Sequence, residues 1–258
     1  MRILITNDDG INAPGLKVLA DIARTLSDDV WIVAPDTNQS GASHSLTLHE
    51  PLRCMEVGEK SYAVRGTPTD CVIMGVRHIL LKSPPDLILS GVNRGSNIAE
   101  DVTYSGTIAG AIEGSLLGIR SVALSQSIDY DAGDIHWETG LAHGPQIIKR
   151  LLETDWNPAV LMNVNFPALP PGEVGGVMVT VQGKRDQAQL NIEERFDTWK
   201  QPYYWFNFER RRSNPIEGPD LWAIYRGLIS VTPLTPNLTH LPATEALNGV
   251  FKKSGSAT

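Results

Sequence analysis

Short apolar, β-branched runs recur along the chain at RILIT, VWIVAP, YAVRG, DLILSGVN, SVALSQS and AVLMNVNFP, and amphipathic stretches separate most of them. That alternation predicts βαβ units and a mostly parallel sheet, an α/β fold. Leu16, Leu19, Ala20, Ala23 and Leu26 share one helical face behind Pro14, which predicts a helix over 15–26. A second helix is expected to open near Thr67 or Thr69, with Asp70 in its first turn and Val72, Val76, Ile79 and Leu80 following. A third opens at Ser105 and carries glycines at 106, 110, 114 and 118. Each interior glycine costs up to about 1 kcal/mol relative to alanine. A smooth stripe of them therefore predicts a helix lying very close to the sheet or to another backbone. A fourth helix is expected over 137–152.

After Phe166 the texture changes. PALPPGEVGG leads into the strand-like VMVTVQ and then the polar, aromatic stretch GKRDQAQLNIEERFDTWKQPYYWFNFERRRSN. This reads as a C-terminal β-hairpin extension, followed by a returning strand near YRGLISVTPL. The expected division is a catalytic core over 1–166, an extension carrying the arm over 167–251, and a disordered tail over 252–258. The aromatics of the arm, from Phe196 to Phe206, predict a partner surface.

A chain of 258 residues buries a sizeable core without staples. Its two cysteines, Cys54 and Cys71, have no metal-ligand spacing and suggest no disulfide framework, so the expected compartment is the reducing cytoplasm. The N-terminus lacks the pattern of a signal peptide, and no apolar run has the length of a membrane span. With Lys+Arg 22 against Asp+Glu 29, the formal charge of -7 offers no global field for a nucleic-acid polymer. A small anionic substrate needs local help.

Ligands of an open parallel sheet bind beyond the carboxyl ends of its strands. Three polar segments follow such ends: NDDG after RILIT, PDTNQSGASHS after VWIVAP, and SGVNRGSN running on to DVTYSGT. Adjacent carboxylates at the end of a buried strand repel each other and resist desolvation. Asp8 and Asp9 with neutral oxygen from Ser40 and Asn93 suit Mg²⁺ or Mn²⁺ better than zinc. For DDG alone the simpler reading is one aspartate capping a turn and the other in water; the convergence of three loops favours the metal. Ser105, Gly106 and Thr107 lie where a helix N-terminus receives phosphate, and the glycine- and asparagine-rich segment turns tightly enough to present N–H groups. Arg94 is a candidate for balancing phosphate charge, and His44 is a candidate proton donor set against an ordinary surface histidine. No P-loop, G-x-G-x-x-G turn or G-x-S-x-G elbow is present.

The segments ILITNDDGINAPGL, VAPDTNQSGASHSLTL, GTPTDC and PDLILSGVNRGSNIAEDVTYSGTIAGAIEG resemble the SurE family, survival protein E, the metal-dependent 5′/3′-nucleotidases. YYW within QPYYWF and the later GLISVTPL extend the likeness. The resemblance implies a Rossmann-like three-layer sandwich, one divalent cation per subunit (Mg²⁺ or Mn²⁺), hydrolysis of nucleoside monophosphates to nucleoside and phosphate, and a homo-oligomer, dimer or tetramer, built partly through C-terminal arms. It leaves open 3′-nucleotides and polyphosphate as further substrates. Carried over by motif, the metal ligands are Asp8, Asp9, Ser40 and Asn93. Asp8, Asp9, Asn93 and His44 are then the candidate catalytic residues. Asn7, Ser40, Gly41, Arg94, Gly95, Ser96, Asn97, Ser105, Gly106 and Thr107 are the candidate phosphate and substrate contacts. A nucleotide-binding regulator that uses the same loops without turnover is the rival reading.

Overall fold

The first apolar run forms strand β1, Arg2–Thr6, buried from Ile3 onward. Ile3 and Ile5 join one apolar layer and Leu4 the opposite one. The run shows no polar alternation because neither face of the strand meets water. The computed structural model describes residues 1–129, 133–185, 188–210 and 215–254. After β1 come α1 (Pro14–Arg24), β2 (Asp29–Pro35), β3 (Arg53–Gly58), β4 (Ser61–Arg65), α2 (Pro68–Met74), β5 (Leu87–Arg94), α3 (Gly106–Leu116), β6 (Arg120–Gln126), α4 (Trp137–Leu152) and β7 (Leu161–Phe166). Then follow β8 (Val177–Val179), β9 (Ala188–Phe196), β10 (Pro202–Arg210), α5 (Asp220–Tyr225), β11 (Ile229–Leu234) and α6 (Leu241–Ser254).

Nine strands form one sheet in the order β3-β4-β2-β1-β5-β6-β7-β11-β8. Pairing is parallel from β4 through β7. It is antiparallel where β3 joins β4 and where β11 joins β7, and parallel again between β11 and β8. Helices α1 and α4 pack together over one face, where Leu19, Ile22, Ile148 and Phe166 meet Ile3 and Ile5. Helices α2 and α3 cover the other. The result is the expected α/β three-layer, Rossmann-like sandwich. β9 and β10 form a separate antiparallel hairpin. The order in which the chain adds parallel strands reverses at β1: β2 lies on one side and β5 on the other, so the crevice of a doubly wound sheet opens between the ends of β1 and β5.

Helix α2 begins where Thr67 and Asp70 bond reciprocally, the Thr67 Oγ1 accepting from the Asp70 N–H at 3.2 Å and the Asp70 Oδ2 from the Thr67 N–H at 2.9 Å. It ends after seven residues in a π-helical turn at Gly75–Ile79, earlier than the apolar spacing to Leu80 suggests. Helix α3 starts on Ser105 as expected, but only three of the four striped glycines lie inside it. Gly118 has φ 78° and terminates the helix, its N–H bonding the Ser115 carbonyl at 3.0 Å.

Three elements were not expected from the pattern: the edge strand β3, the short α5, and α6. Every residue of β3 is exposed, so it carries no burial signal. The described residues of α6 with assigned burial are exposed too, among them Leu241, Leu247 and Phe251. The helix runs through residues 252–254 of the expected tail, and 255–258 lie outside the described residues. Beyond Phe166 the chain returns to the sheet twice, through β8 and β11. Asp220, at the start of α5, accepts the backbone N–H groups of Ala99 at 3.0 Å, Gly183 at 2.9 Å and Leu221 at 2.8 Å. This buried carboxylate ties the C-terminal extension to the segment between β5 and α3.

Candidate active site

Asn7, Asp8, Asp9 and Gly10 follow β1 directly. The Asn7 amide donates to the Gly10 carbonyl at 2.9 Å and folds the loop back on itself; Gly10, at φ 104°, supplies the turn. The second loop is held against it, because the Gln39 N–H donates to the Asp8 carbonyl at 2.7 Å and the Ile11 N–H to the Pro35 carbonyl at 2.7 Å. From β5, the Arg94 N–H reaches the Asp9 Oδ2 at 3.2 Å. The three polar loops therefore meet at one edge of the sheet, with both aspartates at their junction.

Asp8 is 4% exposed. Gly106, first residue of α3, packs directly on it: a Cβ built there would lie 2.7 Å from the Asp8 Cβ. The glycine stripe continues along the sheet, with Gly110 over Ser90 and Thr6 and Gly114 over Ile88 and Ser121. The absent side chains let the N-terminus of α3 approach the carboxylate, and the Thr107 hydroxyl donates to the Asp8 Oδ1 in a short bond. Burial pushes the Asp8 carboxyl up to about 6; the Thr107 hydroxyl opposes that rise and the neighbouring charge of Asp9 adds to it. Burial also raises Asp9, against the Arg94 N–H and its guanidinium.

Two desolvated carboxylates thus share few donors. The Asn7 Oδ1 is buried beside them without a hydrogen-bond partner among the described residues. Among those residues no three His, Cys, Asp or Glu side chains gather; a cation here would have the carboxylate pair and neighbouring neutral oxygens to draw on. Hard anionic oxygen held in a low-dielectric niche fits Mg²⁺ or Mn²⁺, and a thiolate- or imidazole-preferring metal has no ligands here.

The other expected residues divide. Asn93 is half-buried at the end of β5 and its amide donates to the Gly95 carbonyl at 2.9 Å, which leaves its oxygen side for a ligand. Ser40 and Gly41 are exposed on the second loop, where the Ser40 N–H is taken by the Asn38 side chain at 2.8 Å. Ser105 is occupied as the cap of α3, its Oγ accepting the Ile108 N–H at 3.0 Å. Gly95, at φ 113°, makes the sharp turn that precedes the half-buried Ser96. His44 pairs with Glu113 of α3 at 3.0 Å.

Asn97 turns inward. Its amide donates to the Ser125 Oγ at 2.9 Å, its N–H to the Asn165 Oδ1 at 2.8 Å, and its carbonyl accepts from Asn163 and Asn165. Its side chain anchors the loop to β6 and its backbone to β7. Asn163 and Asn165 escaped sequence reasoning, although two asparagines inside the apolar run LMNVNF are an available signal, since a buried amide needs a partner.

A cavity of about 550 Å³ opens beside Asp9 and Gly10, between Asp36 of the second loop, Arg94, and Ile135 and Trp137 at the start of α4. Asp36 and Trp137 drew attention in the sequence only as part of a loop and as the start of a helix.

A family model described as Survival protein SurE matches residues 3–189. The 5′-nucleotidase SurE of Methylorubrum extorquens (strain PA1) is 56% identical over 255 residues, covering 98% of this chain and 100% of the relative. That of Caulobacter vibrioides (strain NA1000 / CB15N) is 57% identical over 253 residues, covering 97% and 96%. The crystal structure of a SurE protein from Aquifex aeolicus superposes with a TM-score of 0.84 at 39% identity, covering 97% of this chain and 99% of that one.

Proposed function

The chain belongs to the Survival protein SurE family, and from that premise we infer that it is a 5′-nucleotidase, which hydrolyses nucleoside monophosphates to nucleoside and phosphate with one divalent cation per subunit. The observation that carries this reading is the desolvated Asp8–Asp9 pair set against the N-terminus of α3, a negative niche beside a positive helix end.

Asp8, Asp9, Asn93 and Ser40 would hold the cation. When bound, a Mg²⁺ or Mn²⁺ ion neutralises phosphate charge and makes water more acidic. The chain's own residues do the rest. Thr107 fixes the orientation of the Asp8 carboxylate and the Arg94 N–H that of Asp9. The N–H groups of Gly106 at the start of α3, of Ser96 and of Gly41 are the donors for the phosphoryl oxygens; the Gly95 N–H is taken by the Gln126 carbonyl at 2.8 Å and the Thr107 N–H by the Asp8 carboxylate. The Arg94 guanidinium supplies the positive charge that a chain of net charge -7 otherwise withholds. A water oxygen bonds to phosphorus and gives up a proton to solvent as the bond from phosphorus to the nucleoside oxygen breaks, and the departing nucleoside oxygen takes a proton from His44 or solvent. Asn7 shapes the loop beneath. Cys54 and Cys71 are both free thiols, which supports a cytoplasmic setting. Among the described residues no helix is long and apolar enough to cross a membrane.

Phosphate release from a panel of nucleoside monophosphates, after exhaustive dialysis against EDTA and again with added Mn²⁺ or Mg²⁺, tests the reading. Activity is expected to vanish with chelation and return with the cation. Full turnover in excess EDTA sinks the metal scheme; binding without turnover under every metal favours the regulator.

A further inference from the structure

The cavity beside Asp9 is far larger than a phosphate group, and its lining changes character across its width. At about 550 Å³ it falls within the range of small-molecule sites. Asp9 and Arg94 border it where the phosphate is placed above. Away from them the lining has an apolar side, Trp137, Ile135, Ala13 and Pro14, and a polar one, Asp36 with Asn12, Thr37 and Asn38.

These groups are held by the sheet. Gly15, in the first turn of α1, sits between β5 and Trp137: an added Cβ would collide with the Val92 carbonyl oxygen, one residue before Asn93, and lie 3.1 Å from the edge of the indole. Trp137 therefore stands one helix away from the end of β5, half-buried and packed on the core beneath. Asp36 is fixed at the end of β2 by its N–H, which donates to the Val64 carbonyl at 2.9 Å. Arg94 is the one basic residue in the lining, against two carboxylates. A second phosphate in this space would face Asp36. A neutral group that donates hydrogen bonds, attached to a flat ring, would not.

We propose, resting on the nucleotidase reading above, that this cavity is the nucleoside subsite: the base lies on the indole of Trp137 and a sugar hydroxyl donates to Asp36. A planar base gains stacking from an aromatic face whatever its edge pattern, so Trp137 contributes affinity for nucleosides as a class.

The test uses adenosine, which carries no phosphate and needs no turnover. Calorimetric titration of the full-length protein is expected to show binding that weakens about tenfold or more in Trp137→Ala and is largely restored in Trp137→Phe. Trp137→Leu, apolar but not planar, carries the same expectation if the alanine variant loses its near-ultraviolet circular dichroism. In parallel, the ratio of kcat/KM for AMP to that for phenyl phosphate should fall in Trp137→Leu. Unchanged adenosine affinity in Trp137→Ala or Trp137→Leu, or no adenosine binding to wild type at millimolar concentration, overturns the proposal. Trp137-dependent adenosine binding in a protein that hydrolyses no phosphate ester supports the cleft and removes the hydrolytic reading alone.

Discussion

The Asp8 side chain holds its proton more tightly in the native protein than in the unfolded chain, because burial and the neighbouring Asp9 charge outweigh the Thr107 hydroxyl. Between an ordinary aspartate value of about 3.9 and the native value of about 6, the native state binds more protons, so metal-free stability falls as pH rises through that window. By neutral pH the loss amounts to about 3 kcal/mol. Asp8→Asn, which keeps the shape and removes the charge, is expected to flatten this slope in denaturant titrations at pH 4.5 and 7.5, and to lose most of the Mn²⁺-induced rise in Tm. A slope that persists in the variant assigns the effect elsewhere. The same loops rank two other side chains. Asn93 lies at the end of β5, one residue before the Arg94 N–H that reaches Asp9, whereas His44 is engaged by Glu113 on α3. Asn93→Ala is expected to reduce kcat by a hundredfold or more and His44→Ala by about tenfold or less, below the about 10²–10⁴ that loss of an obligatory general acid costs, because solvent can donate in its place. The reverse order in steady-state kinetics exchanges their roles.

At the scale of elements, the decisive device is the glycine face of α3. Gly106 and Gly110 let the helix sit on β1 and β5, and the Cβ of an alanine at 106 would press within 2.7 Å of the Asp8 Cβ. Overpacking of this kind typically costs about 1–3 kcal/mol. Gly106→Ala is therefore expected to lower stability by that amount and to reduce kcat more than KM changes, because the carboxylate is displaced from its donors. Gly118→Ala is the control. Nothing lies within 4 Å of that position, but φ is 78°, so the substitution should cost about 1 kcal/mol in stability while leaving kcat intact. Equal kinetic effects from the two would mean that α3 does not position Asp8.

Across the whole molecule, the hairpin of β9 and β10 stands apart from the nine-stranded sheet. It exposes Phe196, Trp199, Tyr204, Trp205 and Phe206, with Trp199 81% accessible. So many aromatics on one arm match the composition of an interface rather than of a solvated loop. Replacing residues 184–212 by a short glycine–serine link is expected to yield a smaller species in light scattering, with the sheet still folded by far-ultraviolet circular dichroism. An unchanged mass places subunit contacts elsewhere. Gly183 and Asp220 flank the deleted stretch and stay in place, so the tie to Ala99 survives the deletion.

The sequence by itself determined the elements whose residues are buried along a regular face. The runs from RILIT to AVLMNVNFP form strands, α4 occupies 137–152, and α3 opens on Ser105, because periodicity records local burial. It also determined the carboxylate pair and the loops beside it, since strand ends in a parallel sheet converge whatever the details of packing. It was silent on β3 and α6, whose exposed residues carry no such record. Which way each polar side chain turns was decided only by the tertiary structure. Asn97 looks like its loop neighbours in sequence, but β7 sets Asn163 and Asn165 against it and draws it inward. Trp137 reads as the first residue of a helix and becomes a cavity wall because α1 is thin enough at Gly15 to bring α4 beside the end of β5. Those outcomes depend on partners distant in the chain, and a hydrogen bond or a contact has no periodicity to announce it.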